Sequence, residues 1–269
     1  MGLCFDWLYP VLTEAEREQI AHSLEWRIEH ILSNFSWARK GVPHTSGLAM
    51  MSASHPYEEY LWTLVGALAT YEHSEVAREF CEMGLNYLVG VTNGFGPTEA
   101  WNEGLSYGNW KCATLLDATC YAAMTLPNLH LERNPYYRRV GSFFSYLSPV
   151  GMERSAWGNY GTAPSTHLGG HVRNFRRLAF LTRDGALLQN WQACTDLRQE
   201  LYQRGKPNNW QEYALPHFFD LPEPSLEHSN AKLFNTAGWA MAFSGPPSDP
   251  ATYRDGVGIV FHSRPRGGY

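Results

Sequence analysis

The chain lacks long apolar runs, paired cysteine motifs and any excess of basic charge. No stretch of about 18 consecutive apolar residues occurs, so no segment reads as a membrane span. Gly2 to Pro10 has no basic stretch leading into a long apolar one, so the sequence shows no signal peptide. The five cysteines, Cys4, Cys81, Cys112, Cys120 and Cys194, include no CxxC pair. That argues against a zinc knuckle, and an odd number sets up no disulfide framework. Cys112 and Cys120 fall in a helical run and read as buried apolar residues. Lys and Arg number 21 against 26 Asp and Glu, a net charge of −5. A nucleic-acid groove needs a basic stripe, so nucleic acid is not an expected partner. A local basic cleft for a polyanionic substrate is compatible with that balance. No exact internal repeat is visible.

Aromatic residues are plentiful by contrast. They make up 14% of the chain, with 10 Trp and 15 Tyr, while charged residues make up only 17%. Such a balance suits stacking on sugar rings, and it equally suits a large helical core filled with aromatics. The 269 residues accommodate one large domain or two smaller ones.

Helical signals dominate the first three quarters. Thr13-Glu14-Ala15-Glu16 after Leu12 has the form of a capping box. Ile20, Leu24, Ile28, Ile31 and Leu32 then share one helical face. Further helices are expected over Tyr57 to His73, Glu75 to Gly90, Tyr107 to Met124 and Tyr136 to Leu147. The last is preceded by Asn134-Pro135, where proline suits a helix start. Gly151 to Pro164 reads as a long functional loop. Gly169 to Thr182 and Asp184 to Gln203 form a further helical pair. Long helices joined by short turns are the mark of an α/α barrel or a helical bundle.

The character changes after Gly205, where Pro216, Pro222 and Pro224 break any helix. Leu233 to Phe243 and Gly256 to His262 alternate apolar with small or polar residues, as strands do. Ser244 to Tyr253 between them is rich in turn residues. Two strands alone are marginal, so the sequence reads as a fragment that stops inside a β domain. The expected domains are 1–215, helical, and 216–269, a linker with the first strands.

Two clusters carry the chemistry. Trp101-Asn102-Glu103-Gly104-Leu105-Ser106-Tyr107-Gly108-Asn109-Trp110 follows a turn at Phe95-Gly96-Pro97 and opens a helix. Loops on rigid scaffolds carry function, and these side chains suit a polar, ring-shaped ligand. Ser54-His55-Pro56-Tyr57-Glu58-Glu59-Tyr60 lies about one helical hairpin upstream. His55 precedes proline and is expected extended, just before a helix. Glu58 and Glu59 then occupy that helix's first turn, where acids favour the dipole in any case.

These blocks resemble the heparinase II/III-like polysaccharide lyases. Phe5-Asp6-Trp7-Leu8-Tyr9 with Leu12 to Arg17 is similar to the opening of a toroid helix in that family. Ser54 to Glu58, Trp101 to Gly108 and Val260-Phe261-His262-Ser263-Arg264 are similar to three further blocks, in the same order. The resemblance implies a mainly α fold: an incomplete (α/α) toroid, cut at its N-terminus, followed by the first strands of an antiparallel β-sandwich. It implies an active site in the cleft between the two parts. It also implies a carbon–oxygen lyase that cleaves a uronic-acid-containing polysaccharide by β-elimination, such as heparin, heparan sulfate or an alginate-like chain.

Carried onto this sequence, the resemblance makes Tyr107 the acid/base and His55 a second base or carboxylate neutraliser. Lys111, one turn after Tyr107, could supply charge to tune the phenol or grip an anion. Glu58 could orient His55 or meet sugar hydroxyls, Asn102 could bond the uronate, and Trp101 and Trp110 could stack on sugar faces. Ser54 stands where some relatives carry Asn. No metal or cofactor is expected within the chain. The family's further histidine, and in one branch structural zinc ligands, would lie beyond Tyr269. An acidic polysaccharide is the expected partner, and a periplasmic or secreted parent is implied. The sequence sets no oligomeric state.

Two other readings compete. A toroid glycoside hydrolase needs paired carboxylates, for which Glu58 and Glu103 would serve. An inactive carbohydrate-binding fragment needs only the aromatic cleft. His167 and His171 are four apart on a helix, a metal-pair spacing without a third ligand, and Ser165-Thr166 beside them suggests a helix start. His22, His30, His73 and His130 read as surface residues. Arg173, Arg176 and Arg177 could face an anionic chain or form a solvated helix face.

Overall fold

The computed structural model describes residues 1–34, 54–95, 104–147, 149–150, 164–203, 220–226, 229–235, 238–249, 251–252 and 255–262. Within these, the side chains of 54–57, 94–95, 104–111, 164–172, 198, 201–202 and 262 lie outside the description. The described chain is mainly helical with a small antiparallel sheet. It divides into two compact units, Met1–Thr92 with Tyr121–Leu131, and Asn93–Cys120 with Glu132–Tyr269.

The first unit opens with α1 (Gly2–Leu8), a 3-10 turn (Tyr9–Val11) and α2 (Glu14–Asn34). The capping box forms as its residues predict. The Glu16 backbone N–H donates to Thr13 Oγ1 at 3.4 Å, and the Thr13 N–H donates to the Glu16 carboxylate at 2.8 Å. Leu24, Ile28 and Leu32 are buried along the expected face of α2. Both α1 and α2 pack on α3 (Ser54–Ala69). The approach of α1 to α3 is glycine to glycine: a Cβ at Gly2 would stand 2.7 Å from Gly66 Cα.

Helix α3 starts three residues before the expected Tyr57 and stops at Ala69, with a turn over Thr70 to His73. His55 is therefore helical rather than extended. The bias on a residue before proline is a preference, and Pro56 in a first turn has no carbonyl to displace and no intrahelical N–H bond to lose. Glu58 and Glu59 fall in the second turn, not the first. Ser74 caps the next helix through its hydroxyl, which accepts from the Ala77 N–H at 3.1 Å.

That helix, α4 (Glu75–Phe95), runs past the expected end at Gly90. A glycine inside a helix costs about 1 kcal/mol, and burial of Leu88, Val91 and Thr92 around it offsets that. Ala77, Phe80, Cys81, Tyr87, Leu88 and Val91 are buried at helical spacing. Tyr60 of α3 lies against Phe80 and Tyr87, with ring centroids 4.8 and 4.6 Å apart. Gly84 lets α3 come close, since a Cβ there would meet Leu64 Cδ1 at 2.8 Å.

In the second unit lie α5 (Gly104–Thr125) as far as Cys120, α6 (Tyr136–Leu147), α7 (Pro164–Thr182) and α8 (Gly185–Gln203). Every residue from 112 to 122 of α5 is buried. A helix apolar on all sides belongs in a core. Helix α6 has the bounds expected from sequence, and Asn134 Oδ1 caps it by accepting from the Tyr136 N–H at 3.0 Å. Helices α7 and α8 pack along each other and on α6. Helix α7 starts at Pro164, five residues before the expected Gly169, with Ser165 and Thr166 in its first turn, the helix start that they suggest. Residues 151–163 of the expected long loop lie outside the described residues.

The run Leu233 to Phe243 is two strands, not one. Strands β1 (Ala231–Phe234), β2 (Trp239–Phe243) and β3 (Gly258–His262) form an antiparallel sheet in the order β1-β2-β3. Phe234 pairs with Trp239 across the first turn, and Gly238 takes φ 69° there, a backbone region that favours glycine. Phe234, Trp239 and Met241 are buried on one face. Phe143 of α6 meets Phe234 and Trp239 edge-on, at 5.4 and 6.2 Å. Tyr146 anchors the sheet's entry by donating to the Ser229 carbonyl at 2.8 Å. The other face exposes Leu233, Ile259 and Phe261. No helix among the described residues is long and apolar enough to cross a membrane.

Candidate functional site

The residues expected to act divide between the two units. His55 is the second residue of α3 and Glu58 the fifth, and Glu58 is half-buried. Both belong to the first unit. Tyr107, Trp110 and Lys111 lie on the first two turns of α5, in the second unit. The helix begins at Gly104, earlier than the expected Tyr107, so seven of the ten residues of the aromatic cluster are helical rather than loop. The helical backbone across 107–111 gives positions 107 and 111 the one-turn relation expected of them, with Cβ atoms about 6 Å apart. The side chains of His55, Tyr107, Trp110 and Lys111 lie outside the described residues, as do Trp101, Asn102 and Glu103 altogether.

Further along α5, about 15 Å from position 107 at 1.5 Å per residue, lies a centre that the sequence reading missed. Asp117 is buried in the core of the second unit. Arg177 of α7 donates from Nε to Asp117 Oδ1, and Arg173 donates from Nη2 to Oδ2 at 2.8 Å. The two arginines are four apart, one helical turn, so both reach the same carboxylate. Arg177 also donates from Nη1 to the Arg173 carbonyl at 2.9 Å. Its side chain is 0% exposed, against 19% for Arg173 and 3% for Asp117. Arg177 Nη2 is buried as well and has no hydrogen-bond partner among the described residues.

This corrects the reading of Arg177 as facing either an anionic chain or solvent. Arg177 is sealed in the core, and Arg176 lays its guanidinium 4.7 Å from the centre of the Trp191 ring. The physical reason is Asp117: a buried carboxylate requires cations, and a two-arginine turn provides them. A lone acid inside an otherwise apolar run was the signal available in the sequence, because aspartate is almost never fully buried unless paired.

Cys120, one turn beyond Asp117, donates weakly to the Arg177 carbonyl at 3.9 Å, and burial pushes its thiol well above the usual range. Burial likewise pushes Cys81 and Cys112 up to about 12. None of these thiols is a nucleophile at neutral pH. Cys112 and Cys120 are thus the buried apolar residues that the sequence indicates.

In the first unit, His73 is exposed as expected, yet its Nε2 hydrogen-bonds Tyr9 Oη at 3.0 Å. His22, His30 and His130 are also exposed. His167 and His171 stand on α7 with side chains outside the description. Among the described residues no group of three or more His, Cys, Asp or Glu is placed to hold a metal ion. No protein-family model matches the chain, and no curated protein matches it.

Proposed function

We propose that the chain is part of a polysaccharide lyase that cleaves a uronic-acid-containing chain by β-elimination. The observation that carries this reading is the order of four sequence blocks that resemble heparinase II/III-like lyases, ending in strand residues after a helical part. A mainly helical body with an antiparallel sheet at its C-terminal end is compatible with an incomplete toroid followed by the start of a β-sandwich. The one-turn spacing of Tyr107 and Lys111 supports the pairing of a phenol with a cation.

In this reading a base removes the proton at C5 of the uronate, the C4–O4 bond breaks, and a C4–C5 double bond forms. Tyr107 exchanges the proton and protonates the departing O4. His55 serves as the second base or offsets the uronate carboxylate. Lys111 favours the ionised phenol, since a nearby cation lowers a pKa. Asn102 bonds the carboxylate, Glu58 positions His55 or a hydroxyl, and Trp101 and Trp110 stack on sugar faces. A periplasmic or secreted parent protein accompanies the reading.

The test is the ultraviolet absorbance of an unsaturated uronate on incubation with heparan sulfate, heparin or alginate. Tyr107→Phe is expected to abolish it and His55→Ala to reduce it at least 100-fold, the scale of a lost acid or base. Saturated products carrying a new reducing end would instead establish a hydrolase acting through Glu58 and Glu103. Activity unchanged in Tyr107→Phe would sink the lyase assignment.

A further inference from the structure

We draw no further inference here: the strongest candidate, the outer face of the β1-β2-β3 sheet with its exposed Leu233, Ile259 and Phe261, carries nothing because nothing in the structure shows what covers it.

Discussion

Asp117 on α5 and Arg177 on α7 are bonded through Oδ1 and Nε inside a core where neither side chain exceeds 3% exposure. They stand 60 residues apart in sequence, so the pair ties two helices that nothing local brings together. Removing one partner of a buried pair is far more costly than the pair's net worth, because the other charge is left uncompensated. Asp117→Asn keeps the shape and removes the charge. It should destabilise the chain by about 3–5 kcal/mol, measured as the shift in denaturant midpoint at constant slope. The double variant Asp117→Leu with Arg177→Met should recover part of that loss, since it leaves only Arg173, 19% exposed, without its carboxylate. A double variant as unstable as the sum of the singles would mean that the pair is not a coupled unit.

The capping box at α2 makes an independent and smaller prediction. Thr13→Ala removes a side-chain acceptor from a helix N-terminus and should cost about 1 kcal/mol. It should also change the acid limb of stability. The Thr13 hydroxyl, and then its backbone N–H, hold the Glu16 carboxyl below its ordinary value of 4.5. A group depressed in the folded state adds stability above the unfolded value and loses it as pH falls through the folded one. Wild-type stability should therefore fall below about pH 4.5 more steeply than that of Glu16→Gln. Parallel acid limbs in the two proteins would refute the contribution.

These two features differ in how legible they were in the sequence. The capping box is local: four residues and a leucine define it. Helix α6 is legible for the same reason, with Asn134-Pro135 before it and a strict apolar face after it. Asp117 was not, because its partners lie 56 and 60 residues away and only the tertiary fold makes them neighbours. The β1–β2 hairpin was blurred for another reason. Phe234 and Trp239 both read as positions in one alternating run, and Gly238 marks the reversal only once its positive φ is known. Position 55 was misjudged because a dipeptide bias was weighed without the helix that overrides it. At the candidate site, the helical spacing of Tyr107 and Lys111 follows from local pattern, whereas any meeting of His55 with Tyr107 depends on contacts far apart in sequence.

The contact of α6 with the sheet rests on Phe143, which is 0% exposed and edge-on to two aromatic rings. Phe143→Ala removes a full aromatic ring from that layer and should cost about 3–5 kcal/mol. Phe143→Leu keeps most of the volume and should cost less than half as much. Trp239 is one of ten tryptophans, and its indole lies 6.2 Å from the Phe143 ring, so its share of the emission follows the change. A red shift in tryptophan emission in the alanine variant, with helical circular dichroism retained, is the expected signature. Unchanged stability in Phe143→Ala would mean that the sheet is held by other contacts.

Thiol reactivity separates the buried cysteines from the one on the surface. Cys4 is exposed, while Cys81, Cys112, Cys120 and Cys194 are buried. The thiolate is the reacting species, and Cys81 and Cys112 are pushed up to about 12 by burial. Burial therefore acts twice, by blocking the reagent and by withholding the thiolate. An aromatic disulfide reagent near neutral pH should titrate one fast thiol per folded chain, and five once the chain is unfolded in denaturant. Cys4→Ser should abolish the fast phase and leave the total in denaturant one lower. The slow phase should track the fraction of chain that opens, so Asp117→Asn, which loosens the core around Cys112 and Cys120, should accelerate it by the same factor by which it raises the unfolded population. Two or more fast thiols in a chain whose helical content is intact would contradict the burial of Cys81, Cys112, Cys120 and Cys194.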